Sequence, residues 1–222
     1  MMELLSKNEK FLIPLEFGNI VLIEASAGIG HDVLLYSTIA NILKNNLKVF
    51  IVTATKTKKQ IVSELLQFGL LEESILNNLF LVTTLPEKMN NVYHVELSKL
   101  FTVSDAIKRL LNICRIGSID LISSLLIFED SKTVFKFIDE IARLVKYSKT
   151  LIMLPIDVGV ADKRTLSMFE NIADIVVEMK EIVRDFKIVR GIRIKKISGV
   201  APSSFYSYNI TPNGIIIGDK LE

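Results

Sequence analysis

The sequence predicts an α/β fold: a mostly parallel sheet covered by helices on both faces, with an antiparallel β extension in the C-terminal third. Three observations carry this reading. Apolar runs of strand length alternate with helical patterns through the first two thirds of the chain, the signature of βαβ units. Half of the 222 residues are hydrophobic and the mean hydropathy is +0.40, as expected of strands buried on both sides. From Ala173 onward the pattern turns β-rich with short connections, which points to antiparallel pairing.

The elements follow in order. Strands are expected at NIVLIEA, KVFIVTA, NLFLVTT, the neighbourhood of GSIDLIS, and TLIMLPI. Helices are expected from about Asp32 to Asn45, Lys58 to Phe68, Ser104 to Asn112 and Ser131 to Tyr147. In the last of these, Val134, Phe137, Ile138, Ile141 and Leu144 fall on one apolar stripe. Asp130 or Ser131 is placed to cap that helix. The extension reads as ADIVVEMKE, FKIVRGIRIKKI, SFYSYNIT and GIIIGD. No Gly/Ser-rich linker or repeat divides the chain, so residues 1–222 are read as a single domain.

Composition narrows the function classes. Glu24, Asp120 and Asp157 interrupt the longest apolar runs, so none reaches the roughly 18 residues needed to span a bilayer. The N-terminal MMELLSKNEK lacks the apolar core and cleavage site of a signal peptide, and the expected location is the cytoplasm, with no membrane partner. The lone Cys114 reads as a small buried hydrophobe. His31 and His94 stand without cysteines at ligand spacing, which argues against zinc. A net charge of +2 does not by itself call for nucleic acid.

The segment VLIEASAGIGHDVLLYSTIA is where chemistry is expected. An apolar strand, a Gly-containing turn and an amphipathic helix reproduce the layout of a phosphate loop, G-x-x-x-x-G-K-[ST], in which backbone N–H groups cradle phosphate, a Lys reaches the outer phosphates and a hydroxyl helps hold magnesium. Here the pattern reads Ala25-Ser26-Ala27-Gly28-Ile29-Gly30-His31-Asp32. Gly28 and Gly30 keep the turn, but the first Gly, the Lys and the hydroxyl are gone. His31 is shorter than Lys and mostly neutral at pH 7. A carboxylate at Asp32 would repel a phosphate 4 Å away by about 4 kcal/mol at an effective dielectric near 20. Two roles are open to Asp32: a first-turn carboxylate that takes hydrogen bonds from free helix N–H groups as a stand-in for phosphate, or a magnesium ligand.

Taken with its downstream segments, the chain resembles the KaiC-like branch of the RecA superfamily, single-domain ATPases common in archaea, over approximately Pro14 to Gly218. LKVFIVTATKTKKQIVSELLQFGL matches the family frame through Phe68-Gly69, and the family's paired glutamates fall on Thr55 and Lys56. One of those carboxylates is the general base in the family, so the resemblance implies that this chain lacks it. RIGSIDLISSLLIF is similar to the Walker B strand, with Asp120 at the metal-linked aspartate and Ser123-Ser124 after it. Read without the family, Asp120 equally suits a helix or turn cap. NIADIVVEMKE and YNITPNGIIIG resemble the closing segments, the latter a hairpin with Gly214. The family's K-x-R strand, which reaches the neighbouring subunit's nucleotide, reads Lys196 and Ser198 here.

The departures concentrate at the nucleotide site while the packing pattern stays intact. This clustering leads to the expectation of a RecA-like pseudoenzyme acting as a protein-binding or regulatory module, with no catalytic residue and no required cofactor. The expected vestigial nucleotide site comprises Ser26, Ala27, Gly28, Ile29, Gly30, His31, Asp32 and Asp120. Lys56 is expected to fill it by pairing with Asp32 or Asp120, unless it is a solvated loop residue. The expected partner is a protein or peptide at a sheet edge, or further copies of the chain. Two alternatives stand: an ATPase with an atypical loop using Asp32 and Asp120 for magnesium, Glu129 or Asp130 being the nearest substitutes for the base, and a nucleic-acid-binding paralogue using Lys187, Arg190, Arg193, Lys195 and Lys196. Strand alternation puts Arg193 and Lys195 of that cluster on one face.

Overall fold

Runs of consecutive Val, Ile, Leu and Phe produce strands buried on both faces, and the amphipathic segments between them supply the covering helices. The structure, a computed structural model, describes residues 2–4, 13–184 and 187–221. Most of the N-terminal segment MMELLSKNEK and Phe186, which the sequence places at the head of a strand, lie outside the described residues. β1 (Met2–Leu4) and β2 (Ile13–Leu15) form a separate antiparallel pair. The remaining chain runs β3 (Ile20–Ala25), α1 (His31–Lys44), β4 (Val49–Thr53), α2 (Lys58–Leu66), α3 (Glu72–Asn78), β5 (Leu79–Thr83), β6 (Val92–His94), α4 (Leu100–Leu111), β7 (Ile116–Asp120), α5 (Ile122–Phe128), α6 (Ser131–Ser148), β8 (Leu151–Asp157), α7 (Lys163–Ile172), β9 (Ile175–Arg184), β10 (Lys187–Ile197), β11 (Tyr206–Thr211) and β12 (Gly214–Lys220).

Ten of these strands form one sheet in the order β12-β11-β10-β9-β3-β8-β7-β4-β5-β6. The strands from β9 to β6 in that order run parallel, and β10, β11 and β12 add antiparallel pairs. Alternation along each strand sorts the core into two layers. Val21, Ile23, Val49 and Ile51 pack under α1, α2 and α3, whereas Ile20, Leu22, Phe50 and Val52 pack under α4 to α7. Phe50 lies directly opposite Gly117 of β7, where an added Cβ would come within 2.3 Å of its ring, so the glycine makes room for the phenylalanine. Among the described residues no helix is long and apolar enough to cross a membrane.

The four expected helices and five expected parallel strands are present. Asp130 caps α6 by accepting from the N–H groups of Lys132 and Thr133. Val134, Phe137, Ile138 and Ile141 form its buried stripe, continued by Val145 rather than by the partly buried Leu144. Cys114 is buried, and burial pushes its thiol up to about 12.

Two expectations change. The strand expected to run through GSIDLIS ends at Asp120, because Ile122 begins α5 and the Ser123 hydroxyl turns across to accept from the N–H of Asp157. ADIVVEMKE was expected to open the antiparallel extension, yet α7 precedes it and β9 runs parallel to β3, so the extension starts one strand later, at β10.

Candidate functional site

β3 is buried along its whole length and releases the chain at Ala25, level with Asp157 of β8. The following turn is closed by the Ile29 N–H on the Ser26 carbonyl at 3.4 Å, and the Leu34 N–H on the Gly30 carbonyl at 3.2 Å begins α1. Gly28 (φ 79°) and Gly30 (φ 92°) flank Ile29 in the left-handed region. Both conformations are ones that a side chain would strain, which is why glycine stands at each position.

A cavity of about 390 Å³ opens beside this loop. Its polar wall consists of His31 and Asp32 from the loop, Asp120 from the end of β7 and Lys56 from beyond the end of β4. The register explains the convergence: Thr53, the last residue of β4, pairs with Asp120. Of the residues expected at the site, Gly28, Gly30, His31, Asp32 and Asp120 meet at this cavity. Ser26 and Ala27 are exposed and stand outside its wall, and Ile29 is buried with its carbonyl accepting from the Tyr208 hydroxyl at 2.6 Å.

The charges at this site are poorly matched. Burial raises the Asp120 carboxyl above its ordinary value; His31 and Lys56 pull it back, and Asp32 adds to the rise. Asp120 has no hydrogen-bond or ion-pair partner among the described residues, so it serves as no cap. The His31 Nδ1 is buried without a partner. Asp32 is exposed in the first turn of α1, whose N-cap is Gly30 with no side-chain cap bond, so the carboxylate does not take helix N–H groups as expected of a phosphate stand-in.

Lys56 corrects a second expectation. It lines the cavity, but its ammonium pairs with Glu64 of α2 at 2.7 and 2.9 Å and lies 4.5 Å from the centre of the Tyr36 ring, rather than pairing with Asp32 or Asp120. Glu64 sits eight residues downstream, and only the orientation of α2, set by the Thr57/Gln60 capping box, turns it back toward the loop. Burial, with the Glu64, Asp120 and Asp32 charges, raises the Tyr36 phenol.

The C-terminal hairpin completes the site from above. Ile210 of β11 borders the cavity so closely that a Cβ on Gly30 would meet its Cδ1 at 2.3 Å, and Gly214 at the head of β12 packs where a Cβ would lie 2.9 Å from Ser37. Tyr36, Tyr208 and Ile210 were not singled out by the sequence reading. Tyr208 and Ile210 show only as aromatic and β-branched residues of SFYSYNIT, as strands commonly carry, and Tyr36 only as an aromatic within the helical VLLYSTIA.

The basic cluster of β10 is largely spent inside the chain. Arg193 Nε donates to Glu178 at 2.6 Å, Lys195 bridges Glu24 and Glu170 at 2.9 and 2.8 Å, and Lys196 donates to the Glu170 and Ala173 carbonyls at 2.6 and 2.7 Å. A bulge between Ile194 and Lys196 lets two consecutive lysines reach α7 together. Lys187 and Arg190 remain exposed.

A parallel sheet covered by helices, a glycine turn feeding α1, and an aspartate ending β7 beside that turn together define a RecA-like domain of the P-loop ATPase class. The chain belongs to the KaiC ATPase family, whose model, described as "ATPase: KaiC", matches residues 14–222. Among solved structures it is similar to the KaiC-like protein PH0186 from the hyperthermophilic archaeon Pyrococcus horikoshii OT3, with 17% identity, 90% of this chain and 89% of that chain covered, and a TM-score of 0.69. At that identity the likeness speaks for the fold. No curated protein matches the chain by sequence.

Proposed function

We propose that this KaiC-family domain does not hydrolyse ATP and acts as a protein-binding or regulatory module. The observation that carries the reading is Lys56. At the end of β4, where the family resemblance places a water-activating carboxylate, the chain presents an ammonium held by Glu64 and stacked on Tyr36. A cation locked in an ion pair is no general base. The phosphate loop itself offers His31 and Asp32 where a Lys and a hydroxyl would bind phosphate and metal.

The surface proposed for the partner is the outer edge of β12, which ends the ten-stranded sheet among the described residues and carries the partly exposed Ile216. An extended peptide can add to such an edge through main-chain hydrogen bonds. One observation favours a second reading, an atypical ATPase: Asp32 and Asp120 line one cavity, and neither has a protein partner among the described residues. Magnesium shared by those two carboxylates would offset their repulsion of phosphate.

Calorimetric titration with ATP and magnesium, beside a His31→Lys, Asp32→Thr double variant, tests both. Silence from the native protein and binding by the variant supports the module reading. Tight binding by the native protein overturns it and moves the magnesium reading to the front.

A further inference from the structure

Apart from the phosphate loop, a cavity of about 900 Å³ lies between the start of α2, the end of α3 and the segment leading into β6. Its volume falls within the range of small-molecule sites. Lys58, Lys88, Asn77, Asn90 and Asn91 supply its polar wall, with Leu76 and Met89 as the apolar part and no acidic residue.

Lys58 is the unusual member. It is 1% exposed, and burial pulls its ammonium below the ordinary lysine value. Buried lysines are rare without a carboxylate partner. Here the nearest carboxylate, Glu87, gives its oxygens to the backbone N–H groups of Lys58 and Lys59, at 2.6 and 3.1 Å, and not to the ammonium. The ammonium instead donates to two carbonyls, Asn90 at 2.8 Å and Leu76 at 3.2 Å. An ammonium has three N–H groups, and these two carbonyls leave its charge uncancelled behind the cavity wall.

The other wall residues add to the same character. Lys88 is exposed and has no hydrogen-bond or ion-pair partner among the described residues. The side-chain amides of Asn77 and Asn90 are likewise without a partner among them. The carbonyls held by Lys58 also tie α2 to the segment before β6, where Asn91 takes a left-handed φ of 61°. The wall therefore combines two cations with free amide donors on a braced framework.

We infer that this groove binds an oxyanion, a phosphate or carboxylate group of a small metabolite, through the Lys58 and Lys88 ammonium groups and the Asn77 and Asn90 amides. It lies apart from the phosphate loop and does not depend on whether that loop still takes nucleotide. The fixed Lys58 supplies a desolvated charge, and Lys88 closes over the ligand from solvent.

The test is a titration of the full chain with inorganic phosphate, and separately with citrate, followed by amide resonances in 15N-labelled protein. The expected result is saturable shifts at Lys58, Asn77, Asn90 and Asn91, with the affinity for either anion reduced about tenfold in Lys88→Glu and unchanged in Lys136→Glu, an exposed lysine on α6. Lys58→Met should abolish the shifts. If it fails to fold, the exposed Lys88 carries the test alone. Shifts that do not saturate, or an affinity that Lys88→Glu leaves unchanged, overturn the proposal. Phosphate shifts confined to residues 26–32 overturn it too, and they would count separately against a disabled phosphate loop. Saturation by phosphate alone or citrate alone tells a phosphorylated metabolite from a polycarboxylate.

Discussion

Two groups of charges sit on opposite faces of the same sheet and are treated differently. On the face under α7, Glu24 and Glu178 are neighbours across β3 and β9, and each meets a cation from β10. On the face under α1, Asp32 and Asp120 converge on one cavity with no partner among the described residues, and the cation beside them is turned toward Glu64. The first group is scaffold: a buried carboxylate is tolerated because Lys195 accompanies it. The second has the form of a site, since unpaired charges in a cavity cost stability and call for something else to meet them.

The largest expected effect breaks the paired group. Glu24 is 2% exposed, and its Oε2 accepts from Lys195 while its Oε1 has no partner. Replacing Lys195 by Met strands that carboxylate with Glu170 nearby, and the expected loss is on the order of 3 kcal/mol in urea unfolding at neutral pH. Much of this should return in the double variant with Glu24→Gln, since the stranded charge is then gone. A loss below about 0.5 kcal/mol, the ordinary value of a surface pair, would show that the pair does not hold β10 to the core.

A middle-sized effect links the two regions through the hairpin. Tyr208 of β11 is buried, and its hydroxyl donates to the Ile29 carbonyl in the phosphate loop. Tyr208→Phe leaves that carbonyl without its donor, with an expected cost of about 1–2 kcal/mol. It should also speed amide exchange at Gly28 and Gly30, whose left-handed turn the bond helps fix. Unchanged exchange would mean that packing of Ile210 against Gly30 holds the loop without the hydroxyl.

Much of this architecture is legible in the sequence because the informative signals are local. NIVLIEA, KVFIVTA and NLFLVTT are apolar runs too short and too β-branched to be helices, and each becomes a buried strand. Gly28, Gly30, His31 and Asp32 are contiguous, so their meeting at one cavity needs only the turn, and Asp120 joins them through the register of β4 with β7. What the sequence hides depends on rotation and distance. α3 and α5 are only seven residues each, too short to show two full turns of apolar spacing. Which carboxylate meets Lys56 depends on how α2 is turned, and the bulge that sends Lys195 and Lys196 to one helix breaks the alternation on which a strand reading relies.

The smallest effect is the one that best separates the two groups. Asp120 is desolvated without a partner, so Asp120→Asn at neutral pH should change stability by less than about 1 kcal/mol, with stabilisation the expected sign. The same change at Glu178, whose carboxyl its Lys180 and Arg193 partners hold below the ordinary value against the opposing effect of burial, should destabilise instead. The pH dependence gives a sharper reading. The folded Asp120 titrates above its ordinary 3.8, so its ionised form weakens the fold, and that weakening is relieved as pH falls through the raised value. The asparagine variant cannot gain this relief. The difference in unfolding free energy between variant and native protein should therefore shrink as the pH falls from 7 toward 4. A flat difference across that range would mean that Asp120 already has a partner in solution, and a bound cation would then be the first candidate to look for.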